Sequence, residues 1–219
     1  MRMLRCALVV LAIMGLAGTA SAIPIISTAG QMVTTYPGGP GTVPTVTITR
    51  HAVWQDPALL GTGAAWISYA DTGIGGTTLA PRRGDALNPS GQTVIMTLDR
   101  TIDAWAGDSL DLWIWADDTA GVWWDGALVK PPNFSDNYCA DGPIGCQPPE
   151  FFHLQQSFAT TGSHLLRIEA YQYGTSTLIN DNPFGVLYSG ELVPEPGSLL
   201  LLGTGLIGLA GAARRRMRK

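Results

Sequence analysis

The sequence predicts an all-β fold: a single antiparallel β-sandwich of the jelly-roll type, with a short helix at each end of the chain. Short runs of apolar and β-branched residues recur through the middle of the chain, and stretches rich in Gly and Pro separate them. The same middle part contains no amphipathic helix pattern of ten or more residues. Many short strands with turn residues between them are typical of sandwiches and jelly rolls.

Residues 1–22 have the three regions of a secretory signal peptide. Arg2 and Arg5 form a basic start, residues 7–18 form an apolar run, and residues 20–22 form an Ala-Ser-Ala cleavage site. We therefore expect a signal helix, export through the secretion machinery, and cleavage by signal peptidase that leaves Ile23 as the first residue. An uncleaved anchor is the alternative, which the short apolar run disfavours.

Residues 23–192 form the predicted sandwich domain, which is long enough to bury one core. Between residues 23 and 193, sixteen acidic side chains outnumber six basic ones. Nucleic-acid binding depends on Lys and Arg side chains that neutralise phosphates. The acidic composition therefore argues against a nucleic-acid partner.

The predicted strands follow a leader at residues 23–42, in which we expect one short strand. They cover residues 43–49, 64–69, 92–98, 109–116, 122–124, 127–130, 151–158, 163–173 and 184–192. The strongest pattern is at residues 109–116, where aliphatic side chains alternate with Asp111, Trp113 and Trp115. One face of this strand should lie in the core, and the other should be aromatic.

Seven tryptophans are the feature most directly linked to a ligand. An indole ring can stack on a sugar ring, and it can equally fill a core. We expect Trp54, Trp66 and Trp105 to be core or loop anchors. Four others are candidate glycan-binding residues: Trp113, Trp115, Trp123 and Trp124. The alternative is that an insertion such as residues 71–91 covers them and makes them part of the core.

Three aspartates lie close together in sequence: Asp117, Asp118 and Asp125. With backbone carbonyls they could bind Ca²⁺, a cation that takes six to eight oxygen ligands. Their spacing lacks the regularity of an EF-hand, and Asp is also common in turns, so a structural role is the alternative. Asp125-Gly126 in particular is the dipeptide favoured in two-residue type I′ hairpins. No other cofactor is expected.

The mature chain keeps two cysteines, Cys139 and Cys146, in a loop that contains Pro and Gly. An even pair in an exported domain predicts a disulfide, since export delivers the chain to an oxidising compartment. Zinc binding is a weaker alternative, because no His lies at ligand spacing beside either cysteine.

Catalytic signals are weak. The three histidines, His51, His153 and His164, lie in no recognisable nucleophile or metalloprotease motif. We therefore expect a protein that is not an enzyme. A glycan hydrolase stays open as an alternative, because the fold sets the distance between its two carboxylates.

Residues 193–219 consist of three blocks. Pro194, Glu195 and Pro196 form a rigid turn, residues 199–213 form an uncharged apolar run, and a basic cluster ends the chain. The cluster contains Arg214, Arg215, Arg216, Arg218 and Lys219. Clustered Arg and Lys stay on the cytoplasmic side of a membrane, which places the preceding domain outside. As a helix the apolar run is roughly 22 Å long, short of the ~30 Å hydrocarbon core, which suits a transient anchor.

These three blocks, in this order, resemble the PEP-CTERM sorting signal of Gram-negative bacteria that make extracellular polysaccharide. The resemblance covers residues 193–219. It implies that an exosortase, a membrane processing enzyme, recognises the Pro-Glu-Pro turn. It also implies a location in the cell envelope, on the cell surface or in the extracellular matrix.

The middle of the chain, residues 46–192, loosely resembles galactose-binding-like jelly-roll domains. The resemblance rests on the Leu-Asp-Leu-Trp-Ile-Trp-Ala-Asp-Asp run at residues 110–118, the Asp-Gly hairpin and residues 162–170 and 182–188. It implies carbohydrate binding, although such domains also serve as structural modules. The leading hypothesis is an exported surface or biofilm-matrix protein that associates with exopolysaccharide. The alternatives are a self-associating structural module without a glycan site and, less favoured, a glycan-active hydrolase.

Overall fold

A computed structural model describes residues 21–135, 146–174 and 183–195, together with residues 205, 208, 211 and 214–216 of the tail. Within these ranges the chain forms two antiparallel sheets of six strands each. Residues from both sheets meet in one buried core. The prediction of an all-β fold built as a sandwich is therefore confirmed. Residues 1–20, which form most of the predicted signal helix, lie outside the described residues.

The strands of the described ranges are named here in chain order. They are β1 (Ile23–Ile26), β2 (Met32–Thr35), β3 (Thr42–Pro44), β4 (Val46–Thr47), β5 (Ile67–Ser68), β6 (Val94–Ala104), β7 (Ser109–Ala116), β8 (Thr119–Trp124), β9 (Ala127–Lys130), β10 (Phe152–Ser157), β11 (Gly162–Tyr171) and β12 (Val186–Val193). The first sheet, sheet A, has the order β10-β7-β12-β5-β4, with β1 also paired to β12. The second, sheet B, has the order β3-β2-β6-β11-β8-β9.

Strand β12 pairs with three strands of sheet A, namely β7, β1 and β5. It pairs along its whole length with β7, from Val186 opposite Ala116 to Val193 opposite Ser109. Its other edge pairs with β1 and, at Val186, with β5. Residues 186–190 are all buried, as expected for a strand covered on both edges and both faces. The last strand of the domain therefore lies in the interior of sheet A.

The leader forms two strands where the sequence predicted one. β1 joins sheet A beside β12, and β2 joins sheet B beside β6. The predicted strand at residues 43–49 is also divided, because β3 belongs to sheet B and β4 to sheet A. Thr45 lies buried at the crossing point, where its N–H donates to the Gln31 carbonyl over 2.7 Å.

The main core lies between the two sheets, and the alternation of β7 is confirmed. Leu112 and Ile114 of β7 are fully buried there, in the same cluster as Leu98 of β6 and Ile168 of β11. Each such aliphatic side chain contributes about 1.5–3 kcal/mol by leaving water. This burial explains why strands from distant parts of the sequence hold together.

A second, smaller core covers part of the outer face of sheet A. It contains Trp54, Trp66 and Trp115, and the covering segments are residues 48–66 and 146–151. The Trp54 and Trp66 rings lie 4.2 Å apart, and the Trp66 Nε1–H donates to the Gln55 carbonyl over 2.9 Å. Their predicted role as anchors is confirmed. No residue of the insertion at residues 71–91, which was the alternative cover for the tryptophans, belongs to this cluster.

Trp105 does not follow the prediction that it would be an anchor. It lies in the turn between β6 and β7, and 71% of its surface is exposed. The turn is held by backbone hydrogen bonds, one from the Asp108 N–H to the Trp105 carbonyl and two that join it to Phe158, so it needs no buried indole.

The predicted hairpin between β8 and β9 is confirmed. Asp125 and Gly126 have φ angles of 48° and 80°, the positive values that a type I′ turn requires. The Asp125 carboxylate also accepts a hydrogen bond from the Leu165 N–H over 2.8 Å and lies 2.7 Å from His164 Nδ1. The turn is thereby tied to β11. Although partial desolvation acts in the opposite direction, these hydrogen bonds lower the pKa of Asp125.

Gly190→Ala is expected to lower the free energy of unfolding by about 3 kcal/mol. A Cβ at position 190 would collide with the Asp111 backbone of β7, where β12 and β7 approach each other closely. Gly162→Ala in β11 is the matched control, because a Cβ there meets no atom within 4 Å. It should change stability by less than about 0.5 kcal/mol. Urea unfolding measures the stability of both variants. Equal losses of stability in the two would contradict the close approach of β12 and β7.

Candidate functional site

A groove of about 420 Å³ opens on the outer face of sheet A, beside the second core. Its apolar lining comes from Trp113 and Trp115 on β7 and from Phe151. These side chains share a face because residues two apart on a strand point the same way. Residues from the segments 59–62 and 146–151 and from β12 complete the lining: Leu59, Leu60, Thr62, Pro148, Ser189, Gly190 and Glu191. We call this feature the sheet A groove.

Trp113 is held by its neighbour on β10. The two strands place His153 directly opposite Trp113, and their rings stack with centroids 4.6 Å apart and an interplanar angle of 10°. The His153 Nε2 in turn contacts the Asp111 Oδ1, and the Gln155 amide donates to the same oxygen over 3.3 Å. The imidazole therefore covers one face of the indole and is itself fixed in orientation.

Trp115 forms the buried floor of the sheet A groove. Only 3% of its surface is exposed, and it contacts the Phe151 ring edge-on at 5.8 Å. In the described structure its buried Nε1–H has no hydrogen-bond partner. An unpaired buried donor of this kind costs about 1–3 kcal/mol. At the rim, the Thr62 and Ser189 hydroxyls lie 2.8 Å apart.

The structure separates the four candidate tryptophans. Trp123 lies on the outer face of sheet B, where its Nε1–H donates to the Glu169 Oε2 over 3.1 Å beside a smaller groove of about 250 Å³. Trp124 lies in the main core, against Phe158 and His164. Consecutive residues of a strand face opposite sides, so β8 cannot place both indoles on one surface. Only Trp113 and Trp115 share a groove.

Sequence reasoning missed several groove residues. Phe151, Thr62 and the Ser189–Glu191 segment come from three separate parts of the chain, and no local pattern connects them with β7. Knowledge that β12 pairs with β7 would have identified Ser189 and Glu191, because this pairing places them opposite Trp113 and Asp111.

The sorting tail begins inside the fold. Leu192, which is buried, and Val193 belong to β12, and Glu195 lies against the turn between β6 and β7. Pro196 and most of the apolar run lie outside the described residues. Arg214, Arg215 and Arg216 have helical backbone and are exposed. Within the described ranges, no helix combines the length and apolar character needed to cross a membrane.

Comparison with known families identifies this tail. Residues 192–216 match the family described as the PEP-CTERM protein-sorting motif. The tail is a PEP-CTERM sorting signal. This motif indicates an exported protein of the Gram-negative cell envelope and implies processing by an exosortase, a membrane enzyme. The match covers only the tail, and no curated protein matches the chain.

The aspartates proposed as calcium ligands do not come together. Asp117 and Asp118 precede β8 and Asp125 follows it, so roughly 20 Å of strand separates them. The Asp125 carboxylate is occupied by its contacts with β11. Among the described residues, no group of three or more His, Cys, Asp or Glu side chains could hold a metal ion.

Asp117 and Asp118 form a buried acidic pair at the end of β7, each about 6% exposed. Burial raises the pKa of Asp118 to about 6, although hydrogen bonds from the Gly174 and Tyr173 N–H groups act in the opposite direction. Burial and the neighbouring Asp118 charge raise the pKa of Asp117 well above its usual range. This pair destabilises the fold when it is ionised.

Of the predicted disulfide, only Cys146 lies in the described residues. It is fully buried in the second core, and its carbonyl accepts a hydrogen bond from the Gln55 N–H over 2.6 Å. Cys139 lies outside the described residues, so the pairing stays a prediction.

Asp118→Asn should alter how stability depends on pH. Asp118 has a pKa near 3.8 in the unfolded chain and near 6 in the folded protein. Its contribution to the free energy of unfolding is therefore fully present below pH 3.8 and is lost as the pH rises through 6. The loss reaches up to about 3 kcal/mol by pH 7. Urea unfolding between pH 4 and pH 7 should show a weaker loss in Asp118→Asn.

Asp125→Asn is the control for this experiment. Its pKa is lowered in the folded protein, so it stabilises above pH 3.8 and loses that contribution as the pH falls. Replacing it should therefore leave the pH dependence between pH 4 and pH 7 as in the wild type. The same pH dependence in Asp118→Asn and wild type would contradict the account of the buried pair.

Proposed function

We propose that the protein is a non-enzymatic surface or matrix component of the Gram-negative envelope that binds exopolysaccharide in the sheet A groove. Delivery depends on the PEP-CTERM signal, which is the part of the function that the family match supports directly. Glycan binding is supported by one observation above all. The outer face of sheet A presents an open, aromatic groove with hydroxyl and carboxylate groups at its rim.

Trp113 is the proposed stacking platform. His153 covers one face of its indole, and the ring also lines the groove, so a sugar can stack its C–H face on the remaining indole surface. The stack on His153 and the Asp111 contact fix the orientation of the indole before any ligand arrives. Such preorganisation lowers the entropic cost of binding.

The polar groups of the groove suit sugar hydroxyls. The Trp115 Nε1–H is a donor without a partner in the described structure, and Thr62, Ser189 and Glu191 offer acceptors at the rim. A sugar hydroxyl that reached the Trp115 N–H would relieve the cost of its burial.

The charge of the groove favours neutral sugars over uronates. Glu191 lines it, and Asp111 lies across the strand pair from Glu191. The domain as a whole is also strongly acidic. Like charges brought close together repel, so a polysaccharide rich in carboxylates would bind weakly.

A glycan hydrolase is the second candidate, and one observation favours it. Asp111 and Glu191 are direct cross-strand neighbours, with Cβ atoms expected about 4.5–5.5 Å apart. Retaining glycosidases use two carboxyl groups about 5–5.5 Å apart. Release of reducing sugars, lost in Glu191→Gln while binding persists, would favour this candidate. Binding without release favours the non-enzymatic proposal.

Trp113→Ala should weaken binding to a neutral exopolysaccharide about tenfold, which corresponds to about 1.4 kcal/mol. Affinity electrophoresis of the full chain against neutral and uronate-containing polysaccharides measures the effect. Trp123→Ala, on the opposite sheet, is the matched control and should leave binding unchanged. Thermal unfolding verifies that both variants are folded.

The results separate glycan binding from a purely structural role. If no polysaccharide binds the folded wild type, the glycan proposal fails, and self-association measured by sedimentation would favour the structural module. If Trp123→Ala weakens binding as much as Trp113→Ala, the sheet A groove is not the site.

A further inference from the structure

Both ends of the domain leave it at the same pole of the sandwich. β1 runs antiparallel to β12, so Ile23 lies opposite Leu192, the first residue of the sorting motif. The turn between β6 and β7 (residues 105–108) lies at this pole too, because Ser109 pairs with Val193. We call this end of the sandwich the tail pole.

The turn at residues 105–108 holds the start of the sorting motif. Asp108 is buried, and its carboxylate accepts hydrogen bonds from the Trp105 N–H over 2.8 Å and from the Glu195 N–H over 3.4 Å. Gly107 lies so close to the Glu195 side chain that a Cβ there would collide with it. The motif is therefore in direct contact with the domain.

Chain length places the tail pole close to the membrane. Residues 196–198 are the whole connection between Glu195 and the apolar run that begins at Leu199. Four residue steps span at most about 14 Å. The headgroup layer on each side of a bilayer is about 5–7 Å thick. When the apolar run enters the hydrocarbon, the turn therefore lies at the headgroup layer or just above it.

The tail pole exposes apolar side chains in the direction of that layer. Trp105 is 71% exposed and Ile23 51% exposed. Tryptophan is enriched at membrane interfaces, where its apolar ring and its N–H group meet both environments. The exposed Asp103 and Glu195 nearby disfavour an anionic surface and favour zwitterionic lipid.

We propose that the tail pole is a lipid-binding surface and that Trp105 inserts into the headgroup layer while the sorting tail is anchored in the bilayer. The inference rests on the transient membrane anchor that the sequence predicts at residues 199–213. Two attachments hold the sandwich with its tail pole on the membrane. The start of the Pro-Glu-Pro turn is thereby kept at the membrane surface, where a membrane enzyme can reach it.

Bromolipid quenching of tryptophan fluorescence tests this proposal. The chain from Ile23 to Lys219, made in a host without an exosortase, is reconstituted in phosphatidylcholine vesicles with brominated acyl chains. Trp105→Phe should remove most of the quenched emission. Trp123→Phe is the matched control, because Trp123 lies on the outer face of sheet B, and it should leave the quenched emission unchanged.

Flotation of the vesicles separates the outcomes. If the chain floats and quenching does not depend on Trp105, the lipid-binding proposal is overturned while insertion of the tail stands. If the chain does not float, both the insertion and this proposal fail, and the glycan proposal is unaffected. If the chain floats and its quenching depends on Trp105, the result supports a tail pole that faces the lipid.

Discussion

The pairing of β12 with β7 is the interaction on which the rest of the structure depends. β12 is the last strand of the domain, yet it lies between β7 on one edge and β1 and β5 on the other. Sheet A can therefore be completed only after the whole domain has been synthesised. The same pairing forms the sheet A groove, since β7 supplies its indoles and β12 part of its rim. It also brings the first strand and the sorting motif to one pole.

The structure divides its polar and aromatic residues between two ends and two faces. Asp117 and Asp118 are buried at the end of β7 opposite the tail pole, where their raised pKa values mean that ionisation costs stability. The outer face of sheet A carries a partial cover that buries Trp54 and Trp66 and stops beside Trp113. The groove is what this cover leaves open. A binding surface and a sorting signal can thus coexist on one small domain.

The sequence predicted correctly those structural features that depend on residues close together in the chain. Alternation and turn chemistry predicted the bounds of β7 and β9 and the type I′ turn at Asp125. The sorting signal could be recognised because its three blocks are contiguous in the sequence. Alternation does not reveal which sheet a strand joins. The division of the predicted strand at residues 43–49 between the two sheets, at Thr45, was therefore missed. Exposure of Trp105 was missed because the turn that carries it is held by residues distant in sequence, such as Phe158 and Glu195. The groove needs four separate segments, so the sequence identified only its two indoles.

Native-state hydrogen exchange tests the central role of β12 most directly. Amides of the most stable elements exchange only through global unfolding, whereas those of loops exchange through small local openings. The account predicts that the amides of residues 187–190 exchange as slowly as those of β7, with an opening free energy equal to that of global unfolding. Exchange of these amides as fast as in the loop at residues 71–78, while β7 stays protected, would contradict it. The sandwich would then close without its last strand.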